Sequence, residues 1–467
     1  MSFASLKFVM FFPALVLCYY ALPVRWRRAF LLCGSVAFYM LSNPAYAVML
    51  LWVVVASYFA VRHLGSAERS RGTLWLWLLA VLGPMLFFKL KEPIINLWFP
   101  EWAQWRLPGL NWAIPLGLSC YTLQALGYVI DVYKRRIEPD HSWLNHALFV
   151  CFLPTITSGP IQRAPLMMPQ FRAGVATFDY PLAVQGAKRM VWGMFLKIVV
   201  ADRLGIYINS VLQHSAQYNS LTVLIALTLL ALQIYTDFAG YSFIAIGAGN
   251  LLGYRLAENF HRPLFAVGLK DLWTRWHISL SSWLRDYVYI PLGGSRCSKL
   301  RSTFNTIIAF LVSGMWHGIL PGYLCWGLCH GVVVSLERFL PLQRLKAHPL
   351  THALGSLVTV MLMGVILGFF RDNFGEALEI YGTLFGGAKS LQWIIVDPVH
   401  TTAMLWMIGL TLVVVLARDV YDEWCVARLT RWTRGRRVLR WTFYASLVWM
   451  ILLFGVLDSS QFIYMRF

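Results

Sequence analysis

The sequence has little charge for its length. Of its 467 residues, 13% are Asp, Glu, Lys or Arg, whereas a soluble domain carries about 25%. A surface with so few charges would not keep a chain of this size in solution, so the composition excludes a soluble multidomain enzyme. Hydrophobic residues make up 58% of the chain, which also excludes an intrinsically disordered protein.

Metal-binding and disulfide patterns are also absent from the sequence. Its 8 cysteines include no Cys-x-x-Cys pair, and most of them lie within apolar segments. Cysteine in such surroundings is usually a small core residue. The sequence therefore predicts neither a disulfide framework nor a metal site.

Long apolar runs dominate the chain instead. A membrane-spanning helix needs about 20 mostly apolar residues. The predicted spans are 6–22, 45–61, 73–90, 221–236, 238–253, 303–319, 322–340, 354–371, 401–417 and 441–457, with shorter or interrupted runs at 29–42, 112–130, 147–160 and 185–201. We therefore predict an all-α, polytopic integral membrane protein with about 10–13 membrane crossings.

Proline and glycine break several of these runs. They occur at Pro115, Gly117, Pro154, Gly159 and Pro160. Non-helical backbone at membrane depth is tolerated where protein covers it or where it lines a water-filled cavity. The breaks favour a central tunnel surrounded by helices, and loosely packed peripheral helices are the alternative.

Basic residues exceed acidic ones by 40 to 21 and cluster in short loops at 25–28, 62–71, 134–136 and 428–440. In membrane proteins such loops lie on the cytoplasmic side, so we favour a role in topology over nucleic-acid binding. A cytoplasmic loop at 428–440 makes the last span, 441–457, run outward. The tail, 458–467, is then predicted to lie on the external face.

Histidines within apolar surroundings are the first candidate functional residues. His317 follows Trp316 in the glycine-rich segment LVSGMWHGILPGY (311–323), and His277 lies in KDLWTRWHISLSSWLRDYVYIPLGG (270–294). Ionisable residues in membrane segments indicate functional sites, and glycine permits the close approach of a ligand. The alternative for His317 is a core histidine that is hydrogen-bonded to a carbonyl.

Other polar or aromatic groups are open to two interpretations each. Arg275 and Arg285 alternate with aromatic residues, which suits either phosphate binding or a lipid-headgroup anchor at the membrane interface. Asp237 in QIYTDFAG pairs with an arginine or marks a junction between two helices. Tyr464 in the terminal QFIYMRF belongs to an aromatic interfacial belt or to a functional motif.

Taken together, these segments resemble the membrane-bound O-acyltransferase family, and in particular its bacterial glycan-acetylating branch of alginate and peptidoglycan type. The resemblance covers residues 114 to 331, and its most specific run is WHISLSSWLRDYVYIPLGG. The matching segments are IPLGLSCYTLQALGYVIDVYK (114–134), SGPIQRAPLMMPQF (158–171), QIYTDFAGYSFIAIGAGNLLG (233–253), ENFHRPLF (258–265), WTRWHISLSSWLRDYVYIPLGG (273–294), GMWHG (314–318) and WGLCHG (326–331).

The resemblance implies a role for three residues. His317 matches the catalytic histidine of the family, and His277 matches a second polar position. Tyr464 lies in a tail similar to a short C-terminal aromatic motif whose tyrosine is proposed to carry the acyl group. One departure is Phe243, which stands where glycan-acetylating relatives commonly carry Asp.

The expected function is therefore O-acetylation of an extracytoplasmic polysaccharide by a multi-pass protein of the inner membrane. Acetyl-CoA is the expected donor, with no tightly bound cofactor, and Arg275, Arg285, Trp316 and Asp237 are the expected substrate-binding residues. A periplasmic SGNH/GDSL-type acetyltransferase is an expected partner, membrane lipid surrounds the protein, and no nucleic acid is involved.

Three alternatives stay open at this point. They are D-alanyl transfer to teichoic acid from a carrier protein, a transporter or flippase, and a structural scaffold. The predicted segments are N-terminal transmembrane helices at 1–113, a catalytic core at 114–340, C-terminal transmembrane helices at 341–457 and an external tail at 458–467.

Overall fold

The computed structural model describes residues 3–42, 44–66, 70–98, 114–175, 177–371, 373–386, 398–420 and 437–456. These residues form α-helices joined by short loops and contain no β-strand, which confirms the predicted all-α class. The helices are α1 (Leu6–Ala21), α2 (Val24–Ser42), α3 (Ala47–Gly65), α4 (Arg71–Trp98), α5 (Leu118–Tyr133), α6 (Trp143–Cys151), α7 (Leu153–Ile156), α8 (Ala164–Ala173), α9 (Tyr180–Met194), α10 (Asp202–Leu212), α11 (Ser220–Leu251), α12 (Leu269–Arg275), α13 (Ile278–Leu284), α14 (Lys299–His317), α15 (Pro321–Leu336), α16 (Pro349–Leu367), α17 (Phe374–Phe385), α18 (Pro398–Val420) and α19 (Arg437–Phe454).

Four helical segments of the described chain are long and apolar enough to cross a membrane. They are Pro44–Gly65, Arg71–Lys91, Ser220–Leu251 and Pro349–Leu367, and the apolar segments Leu6–Ala21 and Trp441–Phe454 are shorter. These segments confirm a membrane protein with several spans. The predicted count of 10–13 crossings stays a prediction, as does the division of the sequence into four segments.

A first compact unit contains the described residues up to Met190 together with Tyr241–Glu258. Its core includes α3 packed against α4 and α5. The predicted interruption of the run 147–160 is confirmed, because α6 ends at Cys151 and a separate short helix follows. Gly117, with φ +73°, lies directly before α5, at a place where a Cβ would collide with the carbonyl oxygen of Ile156.

One continuous helix, α11, replaces the two spans predicted at 221–236 and 238–253, so that prediction was wrong. Asp237 lies inside this helix and not at a junction. Its carboxylate forms an ion pair with Lys197 Nζ at 2.9 Å. Because the charge is compensated within the protein, the helix continues through it without a break.

A second compact unit contains Val191–Gly240 and the described residues after 258. It contains the α14–α15 hairpin, where glycines of α15 face the backbone of α14. A Cβ at Gly327 would lie 2.5 Å from the carbonyl oxygen of Phe310, and one at Gly331 would lie 2.8 Å from Ile307 Cα. This close approach fixes the turn of the hairpin, where His317 is the last residue of α14.

Replacing Gly327 by alanine should therefore destabilise the hairpin. The new methyl group meets backbone, which cannot rotate away, so we expect a loss of about 1–3 kcal/mol and a lower midpoint of thermal unfolding in detergent. Gly382→Ala is the matched control, since a Cβ there has no neighbour within 4 Å and alanine favours the helix. Equal midpoints for the two variants would contradict this packing.

Candidate active site

His317 is enclosed by aromatic rings at the end of α14. Its side chain is 4% exposed. The centroid of its ring lies 4.6 Å from that of Trp316, 4.8 Å from Phe370, 5.4 Å from Trp326 and 6.5 Å from Tyr323. The neighbours of the ring are therefore mostly aromatic, and an imidazole accepts a proton in its neutral form.

His277 occupies a strained position between α12 and α13. Its backbone is left-handed, with φ 43° and ψ 51°, which costs a non-glycine residue about 1–2 kcal/mol. The Ile278 N–H donates to the Asn259 carbonyl at 2.9 Å, and the His277 ring packs 4.5 Å from Phe238. Strain that the surrounding structure maintains in this way is typical of functional sites.

Trp316 brings the two predicted histidines together. The centroid of its indole lies 4.6 Å from that of His317 and 5.9 Å from that of His277. The three residues therefore form one cluster, although His277 and His317 are 40 positions apart in the sequence. Trp316, predicted to bind substrate, separates the two imidazoles in this arrangement.

Asn259 was missed by sequence reasoning and determines the tautomer of His277. Its Oδ1 accepts from the Ser279 N–H at 3.3 Å and from Ser279 Oγ at 2.9 Å, and it lies 3.0 Å from His277 Nδ1. A backbone N–H can only donate, so this hydrogen-bond network assigns the amide oxygen. Nδ1 must then carry the hydrogen, and Nε2 keeps the basic lone pair.

Asp237 belongs to a buried ion triad. Lys197, in the π-helical segment Phe195–Ala201, lies 2.6 Å from Asp202 and 2.9 Å from Asp237. These side chains are at most 4% exposed, so each charge depends on the others for compensation. Asp237, predicted to bind substrate or to pair with an arginine, pairs here with a lysine, while its neighbour Phe238 contacts His277.

Arg275 pairs with a carboxylate on its own helix. Its Nε lies 3.3 Å from Asp271 Oδ1, and Lys346 binds the other oxygen at 2.8 Å. Burial alone would raise the pKa of Asp271, but the hydrogen bonds from Lys346 and the Val267 N–H, with the charge of Arg275, lower it. The carboxylate therefore stays ionised and fixes α12, and Arg275 is placed to hold that helix.

A cavity of about 270 Å³ is lined by residues of α12, α13, α14 and α15 and has cationic side chains along its wall. The cations are Lys270, Arg338 and Arg285, and the Nε of Arg285 forms an ion pair with Asp286 Oδ1 at 2.9 Å. Arg285 was predicted to face a phosphate, whereas sequence reasoning missed Arg338, which follows the hydrophobic run of α15 outside any motif. The other lining residues are mostly apolar or carry hydroxyl groups: Trp273, Thr274, Leu280, Ser281, Leu284, Tyr289, Thr306, Ala309, Phe310, Ser313 and Val334.

The cavity is close to His317 through its aromatic wall. Trp273 lines the cavity and packs 5.8 Å from Trp326, which packs 5.4 Å from His317. Ser313, also in the lining, is one helical turn before His317 on α14. Trp326 therefore lies between the cavity wall and the imidazole of His317.

Tyr464 lies outside the described residues, so its predicted role stays a prediction. The same holds for the external position of the tail 458–467.

Comparison with known proteins identifies the family. The sequence model of the membrane-bound O-acyltransferase family, MBOAT, matches residues 130–354. The chain is 31% identical over 396 residues to the probable alginate O-acetylase AlgI of Pseudomonas aeruginosa, covering 82% of this chain and 75% of that one. It is 30% identical over 397 residues to the peptidoglycan O-acetyltransferase of Helicobacter pylori, covering 79% and 75%. It is 29% identical over 373 residues to the teichoic acid D-alanyltransferase of Streptococcus thermophilus, covering 73% and 85%.

Proposed function

Because this chain belongs to the membrane-bound O-acyltransferase family and is therefore an O-acyltransferase of the membrane, we propose that it moves an acetyl group from acetyl-CoA to an extracytoplasmic polysaccharide. One observation carries the proposal: a buried histidine, His317, ends the helix whose preceding turn, at Ser313, lines a cavity with Lys270, Arg285 and Arg338 in its wall. The donor enters from the cytoplasm, and the protein lies in the inner membrane.

The reaction needs a base and a hydroxyl acceptor. His317 takes the proton of the acceptor hydroxyl as its oxygen attacks the thioester carbonyl. The new C–O bond forms, the C–S bond breaks, and the proton passes from the imidazolium to the departing thiolate. A neutral imidazole near physiological pH is the usual group for this exchange.

His277 assists on the other side of Trp316. With Nδ1 bound to Asn259, its basic Nε2 is available to accept a hydrogen bond from the acceptor hydroxyl or to orient it. Asn259 acts as a positioning residue, because it sets the tautomer and ring orientation of His277 without touching the reacting atoms.

Asn259→Ala should lower kcat by about 10-fold to 100-fold, within the range of general acid–base effects, and leave KM for acetyl-CoA nearly unchanged. Asn259→Asp keeps the acceptor and should recover most of the activity. Its carboxylate favours the charged imidazolium, so the acidic limb of the pH–rate profile moves to higher pH. Wild-type kcat in Asn259→Ala, or an unshifted profile in Asn259→Asp, would show that the tautomer is unimportant.

The acceptor class comes from the relatives, two of which are named as acting on alginate and on peptidoglycan. We place this chain in the same glycan-acetylating branch. Tyr464 is proposed to carry the acetyl group as an ester on the outer face, and a periplasmic SGNH/GDSL-type acetyltransferase is proposed to pass it to the polysaccharide.

D-alanyl transfer from a carrier protein is the second candidate. Similarity to a teichoic acid D-alanyltransferase that covers 85% of that relative favours it. Membership of an acyltransferase family supports an enzyme over the transporter or flippase that the broken helices left open.

An assay of donor consumption by the purified protein in lipid nanodiscs distinguishes the two donors. The proposal expects labelled acetyl-CoA to be consumed, with release of free thiol, when an acceptor glycan and the periplasmic partner are present. If the protein instead removes D-alanine from a carrier protein and does not use acetyl-CoA, the proposed acetyl transfer is wrong and D-alanyl transfer is the function.

A further inference from the structure

The end of α19 is held by an arginine from a distant part of the sequence. Arg203, the second residue of α10, donates from Nε and from Nη2 to the carbonyl oxygen of Phe454, at 3.1 Å and 2.9 Å. Phe454 is the last residue of α19, where carbonyl groups lack partners within the helix and where the helix dipole favours a cation. Two donors of one guanidinium therefore fix the carbonyl at which the helix ends.

A backbone hydrogen bond holds the residues that follow this helix. The Val456 N–H donates to the carbonyl oxygen of Ile198 at 3.1 Å, and a Cβ on Gly455 would lie 3.1 Å from Ile198 Cδ1. Ile198 belongs to the π-helical segment Phe195–Ala201, and such segments are rare and often lie at functional sites. Residues 454–456, held in this way, form the root of the tail 458–467.

The same π-helical segment is bound to the helix that packs on His277. Lys197, next to Ile198, forms the ion pair with Asp237 of α11 at 2.9 Å, and both side chains are at most 3% exposed. Phe238, the next residue of α11, has its ring centroid 4.5 Å from that of His277. The segment therefore contacts the root of the tail through Ile198 and, through Lys197, the helix that forms a wall of the histidine site.

We infer that Arg203 is a positioning residue that fixes the root of the tail, so that Tyr464 reaches His277 and His317 from a fixed point. This inference rests on the proposed function, in which Tyr464 receives the acetyl group. In that step the phenolic oxygen attacks the thioester carbonyl, the C–S bond breaks, and the proton passes through His317 to the thiolate. Arg203 touches none of these atoms and acts only on the place from which the tyrosine reaches them.

The short connection to Tyr464 makes its starting point important. Tyr464 follows Val456 by eight residues, and at roughly 3.3–3.6 Å per residue an extended chain of that length reaches at most about 26–29 Å. A group tied to a site has a high effective concentration there only while the length of the tether matches the span. Without Arg203 the last carbonyl of α19 loses its partner, and every residue that unwinds lengthens the tether.

The test measures labelling of Tyr464 by labelled acetyl-CoA in the full-length protein in nanodiscs, followed by peptide mass spectrometry. Arg203→Met should lower the maximal labelling rate about 10-fold to 100-fold, the loss expected for a misplaced reactant. The acetyl-CoA concentration that gives half of this rate should not change, because the donor does not bind through the tail. Arg203→Lys keeps a cation that can bind the same carbonyl, so it should recover an intermediate rate.

Val456→Pro tests the same root without removing a charge. Proline has no N–H, so the bond to Ile198 is lost, and we expect the labelling rate to fall by at least about 10-fold at an unchanged half-saturating acetyl-CoA concentration. Val456→Ala keeps the N–H and is the matched control, with a rate within about 2-fold of the wild type.

Arg27→Met is the matched control for the arginine. Arg27 donates to the carbonyl oxygens of Tyr20 and Leu22 at the end of α1, at 3.1 Å and 3.0 Å. Its replacement removes the same kind of hydrogen bond from a helix that does not lead into the tail. This variant should unfold at a lower temperature and still label Tyr464 at the wild-type rate.

Wild-type labelling in both Arg203→Met and Val456→Pro would overturn the positioning role while transfer to Tyr464 stands. A loss that appears as a higher half-saturating concentration of acetyl-CoA would also overturn it, because Arg203 would then support donor binding. An unlabelled Tyr464 in the wild type would instead overturn the acyl relay of the proposed function, and the positioning role with it.

Discussion

His317→Gln is expected to abolish acetyl transfer while the protein still inserts and folds. Glutamine keeps the size and polarity of the side chain but cannot accept a proton at neutral pH, so the acceptor hydroxyl loses its base. Removal of a general base lowers rates by about 10²–10⁴-fold. Thiol release from acetyl-CoA by purified protein measures the loss, and a thermal unfolding midpoint reports the fold.

His330→Gln is the matched control for packing in this prediction. His330 is also buried against Trp326, with ring centroids 4.5 Å apart, and its Nδ1 lies 2.9 Å from the Trp326 carbonyl. It has no part in the proposed chemistry, so we expect a loss below about 10-fold in this variant. Equal losses in the two variants would mean that His317 acts through packing alone.

Tyr464→Phe is expected to abolish acetylation of the polysaccharide, an effect as large as that of His317→Gln. The substitution keeps the aromatic ring and removes the oxygen that would carry the acetyl ester. No other group in the tail 458–467 offers an equivalent phenol. We expect glycan acetylation to fall by at least about 100-fold, measured by ester release from the purified polysaccharide in cells that express the variant.

The control for that effect is Tyr444→Phe, which removes a phenolic oxygen from α19 outside the tail and should leave acetylation intact. Wild-type acetylation by Tyr464→Phe would contradict the relay. The glycan hydroxyl would then be the direct acceptor, and the role of His317 as base would be unaffected.

Much of the fold follows from the apolar runs, because a segment that must satisfy its backbone within lipid has to be helical. The break near Pro154 was also predictable, since proline removes a backbone hydrogen bond from a helix interior and kinks or ends the helix. Continuity of α11 through Asp237 was not. It depends on Lys197, 40 positions earlier, and no local pattern shows that these two charges meet.

The site was predictable only where single sequence segments marked its residues. His317 and Trp316 stood out within a glycine-rich apolar segment, and His277 stood out within a segment of alternating aromatic and charged residues. Asn259 and Arg338 act through side chains brought near by tertiary packing, so neither spacing nor composition marked them. Arg275 was singled out by its charge, yet Asp271 on the preceding helical turn takes that charge, as an i, i+4 pair readily does.

The most direct test of the account is peptide mass spectrometry of the purified protein after incubation with labelled acetyl-CoA. The account predicts a labelled acetyl ester on Tyr464 in the wild type and none in His317→Gln, because the imidazole must deprotonate the phenol before it attacks the thioester. The same amount of label on Tyr464 in both proteins would contradict it.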